Sequence, residues 1–299
     1  MAGASSCPYW FLFVNSKGFE IVTLKSGVKS LRSLDRKETY HPGVGPSIEA
    51  RVLHVEQQRL VERSAVTEHF SIWDVGFGAA ANALTALAAL RDSPAQLEVH
   101  SFDRTLAPAE FALAHAEELG YVLGYEAQLR DLLKNRRVQF GPRCVWHLHL
   151  GDFRDSMLDS TISPPHAILY DPYSPSGNSE MWTLEHFADL RARLLPNQTC
   201  LWTNYTRATG IRVSLLLAGF YVGVGALIGE KDQTTIASND LAAIDRPLDR
   251  TWLERVRVSH TSAPLRRGAG YSIQPISDAD FSVSARVRSS ANVWNSSRA

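Results

Sequence analysis

"FSIWDVGFGAAANALTALAAL", residues Phe70 to Leu90, decides the fold. A run of strand character at 70–75 ends in Asp74 and Val75. Gly76 and Gly78 follow, and the spacing then turns helical over about 79–91. A strand, a glycine turn and a helix in that order mark the start of an α/β unit. Apolar runs of strand length recur at 97–102, 144–150, 167–170 and 199–203. Helical patterns separate or follow them at about 108–119, 124–135, 180–194 and 211–218. Such alternation predicts a mostly parallel sheet covered on both faces. "GFYVGVGAL" and "QTTIAS" are expected to add an antiparallel hairpin at its edge.

Ahead of this core, "FEIVTL" and "VKSLRSL" flank Lys25-Ser26-Gly27, which reads as a β-hairpin with glycine at the turn. "ETYHPGVGP" reads as a loop from its glycines and prolines, and 47–64 has helical spacing. The expected divisions are an extension over 1–66, a core over 67–238 and a C-terminal extension over 239–299. In the last of these the pattern weakens, and its end, "SSANVWNSSRA", reads as disordered.

The totals exclude several classes. Of 299 residues, 44% are hydrophobic and 21% charged, and the formal net charge is zero. No overall field therefore draws the chain to nucleic acid or membrane. From Leu241 onward nine arginines face five acids, so a modest basic surface could lie there. Cys7, Cys144 and Cys200 form no metal spacing, and His147 and His149 share a strand face without an evident third ligand, so no metal is expected. The start, "MAGASSCPYWFLFV", lacks a basic region, and no window holds 18 apolar residues. The reading is a cytoplasmic protein without a membrane span.

Ligands of open parallel sheets bind at the carboxyl ends of the strands. The residues at those ends are therefore the candidates. They are Asp74 before Gly76 and Gly78, Asp103 in "SFDR", Asp152 in "LGDF" and Asp171 in "YDPYSPSGNSEMW". Each alone reads equally as a helix cap or a turn; one acid on each of four successive strand ends reads as a site. "GFGAAA" fits a dinucleotide loop too, but three features favour S-adenosylmethionine. Asp74 stands where a cationic group would face it, and Asp152 where an adenine amine wants an acceptor. Asp171-Pro172-Tyr173 stands where methyltransferases acting on exocyclic amines keep an acid or amide, a proline and an aromatic residue. Asp171 is suited to aim an amine and to take its proton. Pro172 and Pro175 stiffen the loop, and Tyr173 is suited to stack on a base or to cover the sheet end.

Three motifs resemble a known family, the methyltransferase half of the bifunctional tRNA 5-methylaminomethyl-2-thiouridine biosynthesis protein and its single-domain relatives. "DVGFGAAAN" is similar to E-x-G-F-G-T-G-x-N, and "LYDPYSPSGNSEMW" to D-A-F-S-P-x-x-N-P-E-M-W. "YTRATGIRVSLLLAGF" is similar to Y-T-x-A-x-x-V-R-x-x-L-x-x-A-G-F. The resemblance implies a Rossmann-like class I methyltransferase fold. It implies cofactor contacts at Asp74, Gly76, Phe77, Gly78, Asn82, Asp103, Asp152 and Asp171. Catalysis would fall to Asp171 and Tyr173, with the acceptor against Tyr40, Pro172, Tyr173, Ser174, Tyr205 and Arg212. The implied reaction is N-methylation of an aminomethyl group on a wobble uridine in a tRNA anticodon region. A separate flavin-dependent or other enzyme would supply that group. Ala79 and Ala80 replace Thr and Gly of the motif, and Ala80 is expected to narrow the approach to the cofactor. Pro172-Tyr173 replaces Ala-Phe. A different amine acceptor, or a degenerate member that binds without turnover, are the rival readings.

Overall fold

The computed structural model describes residues 18–228, 233–271 and 273–283. The readings of the first fourteen residues and of "SSANVWNSSRA" lie outside the described residues.

Eleven strands are found among the described residues. The first three, β1 (Phe19–Thr23), β2 (Lys29–Ser33) and β3 (Glu38–Thr39), form a small antiparallel sheet. The first two are the expected hairpin, and Gly27 takes the positive φ that its turn requires. β3 had been read as loop; two residues paired to β2 are too short to leave a periodic signal.

The main sheet holds β4 (His69–Val75), β5 (Gln96–Asp103), β6 (Arg137–Gln139), β7 (Cys144–Leu150), β8 (Ala167–Tyr170), β9 (Leu201–Asn204), β10 (Tyr221–Val224) and β11 (Thr235–Ser238). Their order is β10-β11-β9-β8-β4-β5-β7-β6. The five central strands are parallel; β6 and β11 run against them, and β10, paired antiparallel to β11, runs with them. β10 and β11 are the hairpin expected at the edge. From β4 the chain moves outward through β5 to β7, then returns to place β8 on the other side of β4. That reversal is the switch point, where a cleft opens at the strand ends.

Strand alternation fills both faces. Phe70 and Ile72 of β4 enter one core with Leu84, Leu87 and Trp146; Trp73 and Val75 enter the other with Phe102, Trp182 and Trp202. Full burial of each large side chain contributes about 1.5–3 kcal/mol, which explains why these strands read as unbroken apolar runs.

Three helices depart from expectation. The 47–64 pattern is broken into a helix at Pro46–Ala50, a wide π-type turn at Arg51–Glu56 and a helix at Leu60–Ala65, with Arg59 left-handed between the last two. The helix expected from 79 begins at Ala81, because Ala80 is left-handed at φ 67°. Beyond 239, where little was expected, Asp249 caps a helix at Arg250–Val258. Its Leu253 and Val256 are buried, but two apolar anchors on one turn give a weak pattern.

The interior holds several histidines. Burial pushes His54 and His186 down to about 3 and His100 and His166 to about 4. His100 packs against His147 and His149, and its Nδ1 lies 3.0 Å from His149 Nε2. In the unfolded chain these rings take protons near pH 6.5. Below that pH the unfolded state binds more protons, so folding stability must fall as pH drops from about 6.5 towards 4. One fully buried ring costs roughly 2 kcal/mol by pH 5. Asp74, raised to about 7, opposes this in the same window, but the histidines outnumber it. Thermal melting should therefore give a lower Tm at pH 5 than at pH 7; an equal or higher value would contradict the neutral buried state.

Candidate active site

The site is built by register. Val75 pairs with Phe102 on one side and Tyr170 on the other, so the next residues, Gly76, Asp103 and Asp171, emerge side by side. The Asp171 amide donates to the Val75 carbonyl at 2.8 Å. Gly76 then passes so close that a Cβ there would stand 2.5 Å from the Asp171 carbonyl oxygen. Its φ of +88° is also glycine's territory. The same crowding recurs at Gly78, where a Cβ would meet the Tyr40 ring at 2.9 Å.

A cavity of about 990 Å³ opens over these residues, at the upper end of the ~300–1,000 Å³ usual for small-molecule sites. Its floor is the strand ends and its roof is the N-terminal sheet with the 40–42 turn. Of the residues expected at the site, Tyr40, Gly76, Gly78, Asp103, Asp171, Pro172, Tyr173, Ser174 and Tyr205 line it. Asp103 accepts from the Gly78 amide at 2.8 Å, and burial raises its pKa. Asn82, at the start of its helix, donates to Asp171 Oδ2 at 2.8 Å.

The Asp171 loop is fixed from both sides. Trp182 Nε1 donates to the Tyr173 carbonyl at 2.9 Å, and Asn204 Nδ2 to the Tyr170 carbonyl at 2.5 Å. From the roof, Ser174 Oγ donates to Glu38 at 2.7 Å, Arg36 donates to the Gly177 carbonyl at 2.9 Å, and the Tyr40 and Tyr173 hydroxyls meet at 2.5 Å. The stiffness of "YDPYSPSGNSEMW" is thus tertiary as much as proline-made.

Other expected residues are elsewhere. Asp74 is wholly buried behind the cavity; Ser101 donates to its Oδ2 at 2.7 Å, and Oδ1 has no hydrogen-bond partner among the described residues. Burial, with Asp171 and Asp103 adding like charge, lifts its pKa to about 7. Phe77 packs into the core against Trp146. Ala80 is also in the core, so its methyl does not narrow the cavity. Asp152 is not a lining group either. It caps the helix at Phe153–Ser156 and accepts from Arg104 and Arg154 at 2.5 Å, and those bonds hold its pKa far below the usual range. Arg212 is buried away from the cavity, donating to Thr235 Oγ1 at 3.0 Å and the Thr234 carbonyl at 2.8 Å. It ties its helix to β11.

The sequence missed His41, Glu38 and Glu49, which also line the cavity. His41 Nε2 lies 3.8 Å from Asp171 Oδ2. For Glu38 and His41 the signal was an acid and a histidine on either side of Tyr40 in "ETYHPGVGP", a stretch whose glycines and prolines read as loop, whereas Glu49 lies in the 47–64 helical pattern. With Asp35, Asp103 and Asp171 they bring the lining carboxylates to five, against Arg36 and Arg104. That wall attracts cations and repels a dinucleotide's pyrophosphate.

Residues 122–240 match a family described as S-adenosyl-L-methionine-dependent methyltransferase. Over those residues the chain is similar to that family. The bifunctional protein MnmC of Ralstonia nicotianae, named for tRNA 5-methylaminomethyl-2-thiouridine biosynthesis, is 32% identical over 187 residues, 56% of this chain and 27% of that protein. Its namesake in Cupriavidus metallidurans is 32% identical over 215 residues, 67% and 31%. The chain thus spans about a third of the length of these curated relatives. The crystal structure of MNMC2 from Aquifex aeolicus superposes with TM-score 0.68 at 24% identity, covering 91% of this chain and 85% of that one. It has the same fold.

S-adenosylmethionine suits the cavity chemically. Five carboxylates in its lining suit a sulfonium's charge, two glycines leave the backbone bare, and a buried oxygen of Asp74 without a hydrogen-bond partner among the described residues lies behind them. Gly76→Ala should lose roughly 2–4 kcal/mol of stability, from left-handed strain and overpacking against rigid backbone. Denaturant titration reads this; a loss under 1 kcal/mol would mean the two strand ends can part.

Proposed function

We propose that the methyltransferase N-methylates the 5-aminomethyl group of a tRNA wobble uridine. The observation that carries this reading is Asp171. It is a carboxylate at the switch point, fixed by Asn82 and by its backbone, facing the cavity under Tyr40 and Tyr173. The motif similarity to relatives named for that modification supports the choice of acceptor.

In this reading Gly76, Gly78 and Asp103 hold the cofactor, with Asp74 and Asn82 behind them. S-adenosylmethionine, when bound, supplies an electrophilic methyl group on a sulfonium. Asp171 accepts a hydrogen bond from the amine and aims its lone pair. Tyr173 and Tyr40 give the flat base an aromatic wall, with Ser174, Pro172 and Tyr205 at its edge. The extension through residue 66 would then serve the acceptor side and 67–238 the cofactor side. The anticodon phosphates would have to stay outside the acidic cavity, and the aminomethyl group would come from a separate flavin-dependent or other enzyme. A cytoplasmic setting follows from a tRNA substrate, and no helix among the described residues is long and apolar enough to cross a membrane.

The acidic lining favours a second reading, a small primary amine as acceptor. Single-turnover methylation of undermodified tRNA against such amines separates the two. Asp103→Ala should weaken S-adenosylmethionine binding by about 1–3 kcal/mol, the cost of losing buried hydrogen bonds; unchanged affinity in calorimetry would remove the cofactor from this strand end. Asp171→Ala should leave cofactor affinity within about threefold and slow methyl transfer by roughly 10²–10⁴. A wild-type rate in that variant would move the acceptor away from this loop.

A further inference from the structure

One cavity group has no task in the assignments above. His41 sits at φ +46°, a left-handed conformation uncommon outside glycine, although histidine is among the residues that visit it more often. Such backbone persists where surrounding structure enforces it, and it clusters at functional sites. Its effect here is to turn the ring inward. The side chain is only 8% exposed, lines the cavity, and holds Nε2 3.8 Å from Asp171 Oδ2. That gap is too long for a direct hydrogen bond, but a nitrogen standing about 2.9 Å from each atom would bond to both at once.

We propose that His41 accepts the proton that the acceptor amine must lose before it attacks, while Asp171 orients the amine. The proposal rests on the amine-methylating reading of the site. An alkylammonium holds its proton to about pH 10 and has no lone pair at neutral pH. A carboxylate, about six units more acidic, is a poor acceptor for it; imidazole is the side chain that ordinarily changes charge between pH 5 and 8. The step balances. One proton passes from the ammonium to Nε2. The freed lone pair forms the new N–C bond as the S–C bond of the sulfonium donor breaks, its electron pair leaving on a neutral thioether. The product is a secondary ammonium, and His41 returns its proton to water.

The surroundings accept the charge that the ring would gain. Asp171 faces it from the end of β8, Glu38 and Tyr40 precede it on its own segment, and Glu49, Tyr173 and Tyr205 line the same cavity. His54 lies near enough to interact, but burial keeps it neutral, with a pKa of about 3, and Nδ1 bonded to Thr203 Oγ1 at 2.8 Å. A second positive ring is therefore not in the way.

His41→Asn tests this, since asparagine tolerates the left-handed turn. Single-turnover methylation should be followed from pH 5 to 9 with tRNA bearing aminomethyluridine and with a small primary amine, and cofactor affinity measured alongside. The variant should bind the cofactor within about threefold. Its rate at pH 7 should fall roughly 10²-fold, with a deficit that shrinks as pH approaches the amine's own range. Added imidazole should restore part of the rate. Normal cofactor binding with the wild-type pH profile would overturn the proposal. So would a loss of rate and cofactor binding together that imidazole does not repair, which would make His41 structural. Wild-type protein that methylates only the small amine defeats the tRNA reading alone, and the profiles are then compared on that amine. Wild-type protein that methylates neither defeats both.

Discussion

Everything at this site depends on two strand ends approaching more closely than side chains allow. Where β4 and β8 finish, the Asp171 peptide occupies the volume a Cβ on Gly76 would need. The contact is possible because the chain reverses direction across the sheet between these strands, and it sets the spacing of everything above it. Asp171 is carried on one side of the contact and the glycine loop on the other. The loop amide of Gly78 then reaches Asp103 on the next strand. One backbone-to-backbone approach thus gathers three strand ends into a single wall.

The wall is electrostatically expensive. Asp103 and Asp171 both stand within range of Asp74, and burial raises the pKa of Asp74 and of Asp103. Such a cluster is stable only through donors: Ser101 for Asp74, the Gly78 amide for Asp103 and Asn82 for Asp171. Asp152 shows the opposite arrangement. Two guanidiniums satisfy it, so it remains an ordinary ionised acid and organises the rim.

How much of this could be read from the chain follows from the physics. The core strands were legible because burial on both faces leaves unbroken apolar runs, and the glycine loop because tight turns demand glycine. The resemblance of three motifs carried the fold and the cofactor. Orientation was not legible. Asp152 and Arg212 match the family by position, yet each points to protein partners, and side-chain direction depends on packing that no motif encodes. Phe77 and Ala80 turn into the core for the same reason. The roof was hidden differently. Glu38, Tyr40 and His41 belong to a two-residue strand and a turn, too short for any period, and they join the site only through contacts far away in sequence.

That distance has its own consequence. The roof meets the Asp171 loop through pairs separated by 133, 136 and 141 residues. Closing loops of that length is entropically costly before any contact repays it, and topologies built on such contacts assemble slowly. During synthesis the roof leaves the ribosome before the parallel sheet and waits while that sheet is made. The cavity can be sealed only after β8 and β9 are in register. The enclosed acidic space is therefore late to form, and chains halted before Asp171 would carry the roof without the loop it meets.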